Sequence, residues 1–184
     1  MTSLTTEHIK KETTNIMGLF KVSRDLNAFL AELQDKGCSE NEISLIMSQN
    51  TKNAFYSYRN EEAPEVTTDI NNKAPEGFLA GAVTGGAIGA VIGGLTLTGS
   101  LLIPGSQVLL LGPAIGAIAG GAAGGTAGGL VGLLAGMGIP EIEAHFYKDA
   151  VDNEENILVV VKAPKDQEKV IKDVFKRYDP EKMA

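Results

Sequence analysis

Residues 112–137 read GPAIGAIAGGAAGGTAGGLVGLLAGM. Within them Gly112, Gly116, Gly120, Gly124, Gly128, Gly132 and Gly136 recur at strict steps of four. Each interior glycine costs a helix in water about 1 kcal/mol relative to alanine, so this composition opposes an isolated soluble helix. A loop has no reason to keep the period. A helix–helix interface does, because residues i and i+4 lie on one ridge and glycine lets two backbones approach closely. The same step appears earlier at Gly81, Gly85, Gly89 and Gly93. Each row is doubled, by Ala82, Gly86, Ala90 and Gly94 in the first stretch and by Ala117, Gly121, Gly125 and Gly129 in the second. Four residues turn a helix by about 400°, so the ridge drifts about 40° per step and wraps roughly half a turn between Gly116 and Gly136. One neighbour does not cover such a surface. The pattern predicts a glycine-zipper helical hairpin with contacts both inside the hairpin and between chains.

Outward from this stretch, the chain divides by charge. Between Glu76 and Glu141 no Asp, Glu, Lys or Arg occurs, and 20 of the 22 glycines fall there. All 16 basic and 23 acidic residues, net −7, sit in the remainder. Phe78–Leu97 and Pro113–Met137 match the roughly 20 residues needed to cross a hydrocarbon core. Yet Gly116–Gly129 carries Ile118 as its one large apolar side chain, a surface better suited to the inside of a bundle than to lipid. The connection from Gly99 to Gly112 is uncharged too, with a turn expected at Pro104-Gly105 and a helix break at Gly112-Pro113. A loop this apolar reads as re-entrant or as buried in protein, where its backbone finds partners. Lys73 and Lys148 flank the hairpin while its tip has no basic residue, a pattern that predicts both arms on the cytoplasmic side.

The arms predict a small α/β sandwich of α+β class, built from both ends of the chain as β-α-β … α-β-α, with the hairpin as an insertion. Thr14–Phe20 reads as a strand. Ser23 stands as N-cap of a helix with Asp25 in its first turn and Leu26, Phe29, Leu30 and Leu33 on one face. Gly37 ends that helix, and Ile43–Met47 is a second strand. Pro140 opens a helix in which Ile142, Phe146 and Ala150 share a face. Ile157–Val161 reads as a strand buried on both sides. Pro164 opens a last helix with Val170, Ile171, Val174 and Phe175 as its apolar stripe. Neither arm holds enough apolar residues for a core alone. The expected boundaries are a flexible tail at 1–13, a discontinuous domain of 14–48 plus 140–179, a linker at 49–76 and the hairpin at 77–139. Within the linker Phe55, Tyr56 and Tyr58 read as a packed loop.

The sequence also excludes functions. An acidic chain without a basic stripe is a poor nucleic-acid partner. No Lys-Ser/Thr follows a glycine run, so no phosphate loop is present, and no nucleotide, cofactor or small-molecule substrate is inferred. His8 and His145 lack companions at metal spacing, and His145 beside Glu141 and Asp149 reads as a solvated helix face. The one cysteine, Cys38, follows Gly37 in a turn and reads as a packed small residue. No nucleophile–base arrangement suggests catalysis. Met1–Thr14 lacks the apolar core of a secretion signal, which predicts a cytoplasmic N-terminus.

The opening KAPEG of the first zipper, the IPG and GP of the connection, and GLVGLLAGMGIPEIEAHFYKDAV before an ILVVVKA strand together resemble the bacterial general-stress and low-temperature-induced glycine-zipper proteins. The resemblance runs from Asn15 to Tyr178 and is most specific at Gly138, Ile139, Pro140, Glu141, Glu143, Ala144 and Tyr147. That family usually has a glycine pair before its last strand, where this chain has Asn153–Asn156. The resemblance implies stress induction and membrane association, and brings no catalytic residues with it. The expected function is a non-enzymatic homo-oligomer assembled through the zipper in or on the cytoplasmic membrane, both termini cytoplasmic. The alternatives are a soluble self-assembling scaffold in the cytoplasm, whose glycine helices are buried between chains, and a pore lined by small residues.

Overall fold

The computed structural model describes residues 12–58, 100–103, 106–112, 129–153 and 156–184. Its strands are β1 (Thr13–Lys21), β2 (Ile43–Ser48), β3 (Ser100–Leu102), β4 (Val108–Leu111), β5 (Asn156–Pro164) and β6 (Lys182–Met183). Its α-helices are α1 (Arg24–Asp35), α2 (Gln49–Tyr58), α3 (Gly129–Gly136), α4 (Glu141–Asn153) and α5 (Glu168–Arg177). The strands form one sheet in the order β3-β4-β2-β5-β1-β6, with every described pairing antiparallel. The fold is α+β.

Two interleaved units explain that order. β1 and β2 both run antiparallel to β5, so β1-α1-β2 is a β-α-β unit split by the strand between its ends. β5 and β6 both run antiparallel to β1, so β5-α5-β6 is a second unit of the same kind. The long pairing of β1 with β5, from Thr13↔Pro164 to Lys21↔Asn156, joins the two ends of the chain at the centre of the sheet.

Strand alternation divides the core into two layers. Ile16 and Phe20 of β1 with Ile157, Val159 and Val161 of β5 face α1 and α5. Met17 and Leu19 with Leu158 and Val160 face α3 and α4. The domain is therefore three layers, with the sheet covered on both sides. That is why Ile157–Val161 is continuously apolar, as expected, although the sheet is antiparallel.

Local rules account for the N-terminal unit. Leu26, Phe29, Leu30 and Leu33 are all buried, as their spacing predicts. Ser23 sits at the N-cap in extended conformation, but its side chain makes no capping bond. At the other end Gly37 adopts φ +95°. Its N–H donates to the Gln34 carbonyl at 2.8 Å, and the Cys38 N–H donates to the Leu33 carbonyl at 3.0 Å. This pair of bonds is the Schellman closure, and it carries Cys38 into the core behind Leu33.

Three expectations are corrected, and the 99–112 connection is given its form. The stretch assigned to a linker from 49 begins with helix α2. Its start is held by Ser48, whose Oγ accepts the Thr51 N–H at 3.0 Å and lies 2.8 Å from Thr51 Oγ1, both side chains buried. Phe55, Tyr56 and Tyr58 therefore stand on a helix rather than in a packed loop. The connection expected at 99–112 as re-entrant or protein-buried supplies β3 and β4. β4 pairs with β2 from Leu45↔Leu111 to Ser48↔Val108, and all four of its residues are buried. Ile142 and Phe146 are exposed (87% and 46%), and α4 buries Ala144, Tyr147, Ala150 and Val151 instead. Val170 is 47% exposed, off the buried stripe of Ile171, Val174 and Phe175.

Candidate assembly surface

The expected zipper residues Gly81, Gly85, Gly89, Gly93, Gly116, Gly120, Gly124 and Gly128 lie outside the described residues, as do Pro104, Gly105 and Pro113 of the expected turns. Gly132, Gly136 and Gly112 are described. α3 turns Leu130, Leu133 and Leu134 into the layer above β1, β2 and β5. On this short helix Gly132 is half-buried and Gly136 exposed. The last two members of the period-four row therefore lie off the side that α3 spends on the domain core. Gly138 closes the helix at φ +92°, with its N–H on the Ala135 carbonyl and the Ile139 N–H on the Leu134 carbonyl.

The reversal expected at Pro104-Gly105 is bracketed by described bonds. The Ile103 N–H donates to the Val108 carbonyl at 3.0 Å and the Ser106 N–H to the Ile103 carbonyl at 3.1 Å. Gly112 follows β4 with φ +90°. Each glycine segment is thus flanked at both ends by residues of one domain: 59–99 by Tyr58 and Ser100, and the 16 residues 113–128 by Gly112 and Gly129.

The outer helices carry unlike charge. Along the exposed side of α5 and the turn before it, Lys165, Lys169, Lys172 and Lys176 fall at steps of four, three and four. Lys165 Nζ bonds Glu12 Oε2 at 2.7 Å, which lowers the Glu12 carboxyl and raises the lysine. Lys172 Nζ bonds Glu168 Oε1 at 2.6 Å, and Arg177 meets Glu32 of α1 at 2.6 Å. On the opposite face of the sheet, α4 holds Glu141, Glu143, Asp149 and Asp152 against Lys148 alone. Lys148 bonds Asp152 at 2.7 Å, a contact that raises its pKa. Beside these charges Phe146 lies under Lys182 Nζ, 4.5 Å from the ring centroid. The sequence reading missed the lysine row. Its i, i+4, i+7, i+11 spacing was the available signal.

Burial pushes the Cys38 thiol up to about 11, leaving it protonated at neutral pH. Tyr147 is fully buried and pushed up to about 12, first by burial and then by Glu143. His145 Nε2 stands 3.9 Å from Glu141 Oε1 on an exposed face, and no group of three potential ligands for a metal ion occurs among the described residues. No described helix is long and apolar enough to cross a membrane.

No family model, curated protein or solved structure matches the chain.

Proposed function

We propose that this chain is a non-enzymatic, self-assembling scaffold whose glycine rows are buried against protein, in part from neighbouring copies, with the three-layer domain outside them. The observation that carries the reading is the placement of β3 and β4 in the domain sheet. It ties both ends of each glycine segment to one domain. Sixteen extended residues reach out and back by at most about 28 Å, and a helix by far less. The hydrocarbon core is about 30 Å thick and accepts only backbone whose hydrogen bonds are satisfied internally. The second segment is thus too short to cross and return. The first has 23 uncharged residues, 77–99, enough for one crossing and not for two. A membrane-crossing hairpin tipped by the 99–112 connection is the less favoured reading for that reason. Stress association is supported only by the sequence resemblance around Gly138–Tyr147.

Imaging and sedimentation of the purified full-length protein without detergent test this. Large regular assemblies that persist without lipid are expected. Gly124→Leu, which puts a bulky side chain into the row, is expected to leave the domain folded and the particle much smaller. Recovery of the wild-type chain with membranes, released by detergent and not by carbonate, would overturn the scaffold reading.

A further inference from the structure

The three-layer domain presents two outer helix faces of unlike charge pattern, one with a row of lysines and one with a cluster of carboxylates. Along α5 and the turn before it, Lys165, Lys172 and Arg177 are held by Glu12, Glu168 and Glu32, which leaves Lys169 and Lys176 as the cations this face offers outward. Among the described residues no ion pair engages Lys169 or Lys176. Between 141 and 153, on the α4 face, four carboxylates stand against Lys148, which is bonded within its own helix, and Lys182 Nζ over the Phe146 ring. The large apolar side chains that the described residues leave in water also lie on these two helices: Ile142 and Phe146 on α4, Val170 on α5. Ile142 and Phe146 stand beside the α4 carboxylates, while Val170 stands between Asp166 and Asp173 at i−4 and i+3, so the complementarity of the two faces rests on the unpaired lysines and the α4 carboxylates.

Resting on the self-assembly reading, we propose that the occupant of the α5 lysine face is the acidic α4 face of a second copy. The two faces belong to opposite sides of the sheet, so the contact is head-to-tail rather than self-complementary. A heterologous contact adds copies in one direction. It closes only if the rotation per copy permits a ring, and otherwise builds an open filament. The glycine rows then hold a small unit together, while the α5–α4 contact strings units along an axis. Like-charged neighbours in any flipped arrangement repel, which gives the string a polarity.

Two surface variants of the full chain separate this contact from the glycine rows. Lys169→Glu with Lys176→Glu makes both outer faces acidic; Glu141→Lys with Asp149→Lys makes both basic. Each alone is expected to sediment as the small unit, and an equimolar mixture to regain the large particle, because the altered faces complement each other. The wild-type particle is expected to shrink about tenfold in mass between roughly 0.05 M and 0.5 M NaCl, as screening shortens the reach of these charges. Circular dichroism of both variants should match the wild type. A lysine-reversed variant that assembles like wild type, or a mixture that fails to recover, would overturn the inference. Gly124→Leu distinguishes the premise, since loss of the glycine contact should remove the small unit at every salt concentration. A wild-type chain that stays monomeric in low salt defeats the premise and this contact together.

Discussion

Gly18 in β1 lies directly beneath Phe175 of α5: a Cβ placed on Gly18 would stand 2.7 Å from Phe175 Cδ1 and 2.9 Å from Phe20 Cε2. The Phe175 ring is not free to retreat. It packs edge-on against Phe29 with centroids 4.8 Å apart, and Phe20 meets Phe29 at 4.5 Å. Within a strand, alanine in place of glycine would ordinarily stabilise by limiting the unfolded chain. Here the overlap decides the sign. Gly18→Ala is expected to destabilise the domain by about 1–3 kcal/mol, the usual cost of overfilling a close-packed core. Urea unfolding followed by far-ultraviolet circular dichroism measures it. Phe175→Leu in the same chain should recover part of the loss, and strict additivity of the two changes would show that the rings do not cause it.

The Schellman closure of α1 gives a second expectation with a different cause. A Cβ on Gly37 would meet nothing within 4 Å, so the penalty there is conformational alone. At φ +95° an L side chain is strained, and Gly37→Ala should cost about 1–2 kcal/mol. Gly37→Asn should cost less, because asparagine tolerates left-handed backbone. Equal losses from both substitutions would speak against a backbone origin.

Sequence and structure part company where different forces share one signature. The face of α1 is legible because Leu26, Phe29, Leu30 and Leu33 serve only the core. Ile157–Val161 is legible because a strand at the centre of a two-sided sheet has no polar side to show. The stretch from Ser100 to Leu111 is not, since its lack of charge is shared with the glycine rows around it. Hydropathy does not separate a buried β-hairpin from a membrane connection. Helix α2 is hidden because a hydroxyl bond from Ser48, not an apolar stripe, marks its start. On α4, Ile142 and Phe146 imitate a buried face at spacing four, while the smaller Ala144 with Tyr147 and Val151 holds it. For the assembly surface, the period of Gly132 and Gly136 was legible, whereas the tethering of both segments to one sheet was not. Tethering is a long-range property, created when β4 pairs with β2.

Ser48 also makes a direct prediction. Its hydroxyl accepts the Thr51 N–H and bonds the Thr51 hydroxyl in a buried setting. Ser48→Ala removes the cap and leaves the Thr51 hydroxyl short of a partner, at a cost of about 1–2 kcal/mol. Amide hydrogen exchange should accelerate first in α2, ahead of β1 and β5, since the cap acts on that helix. A uniform loss of protection across the domain would indicate that Ser48 matters as a strand residue instead.

Two buried acids are expected to weaken the fold at alkaline pH. The Cys38 thiol is raised from its ordinary 9.0 to about 11, chiefly by burial with a smaller push from Glu42. Tyr147 is raised from 10.0 to about 12 by burial and then by Glu143. Each group binds its proton more tightly in the folded chain than in the unfolded one. Their contribution is therefore fully present below pH 9 and is lost as pH rises, through the window from 9 to 11 for the thiol and 10 to 12 for the phenol. At about 1.4 kcal/mol per pH unit for each group, the combined loss by pH 12 is on the order of 5 kcal/mol, comparable with the whole stability of a small domain. Denaturant midpoints should hold steady to pH 9 and then fall. Cys38→Ala should flatten the 9–11 part of that fall, and Tyr147→Phe the 10–12 part. In the native protein at pH 8, Cys38 should react with a thiol reagent only as fast as the domain opens, so added urea should accelerate labelling in step with unfolding. Immediate labelling of the folded chain, or a pH profile unchanged by either substitution, would contradict the burial of these groups.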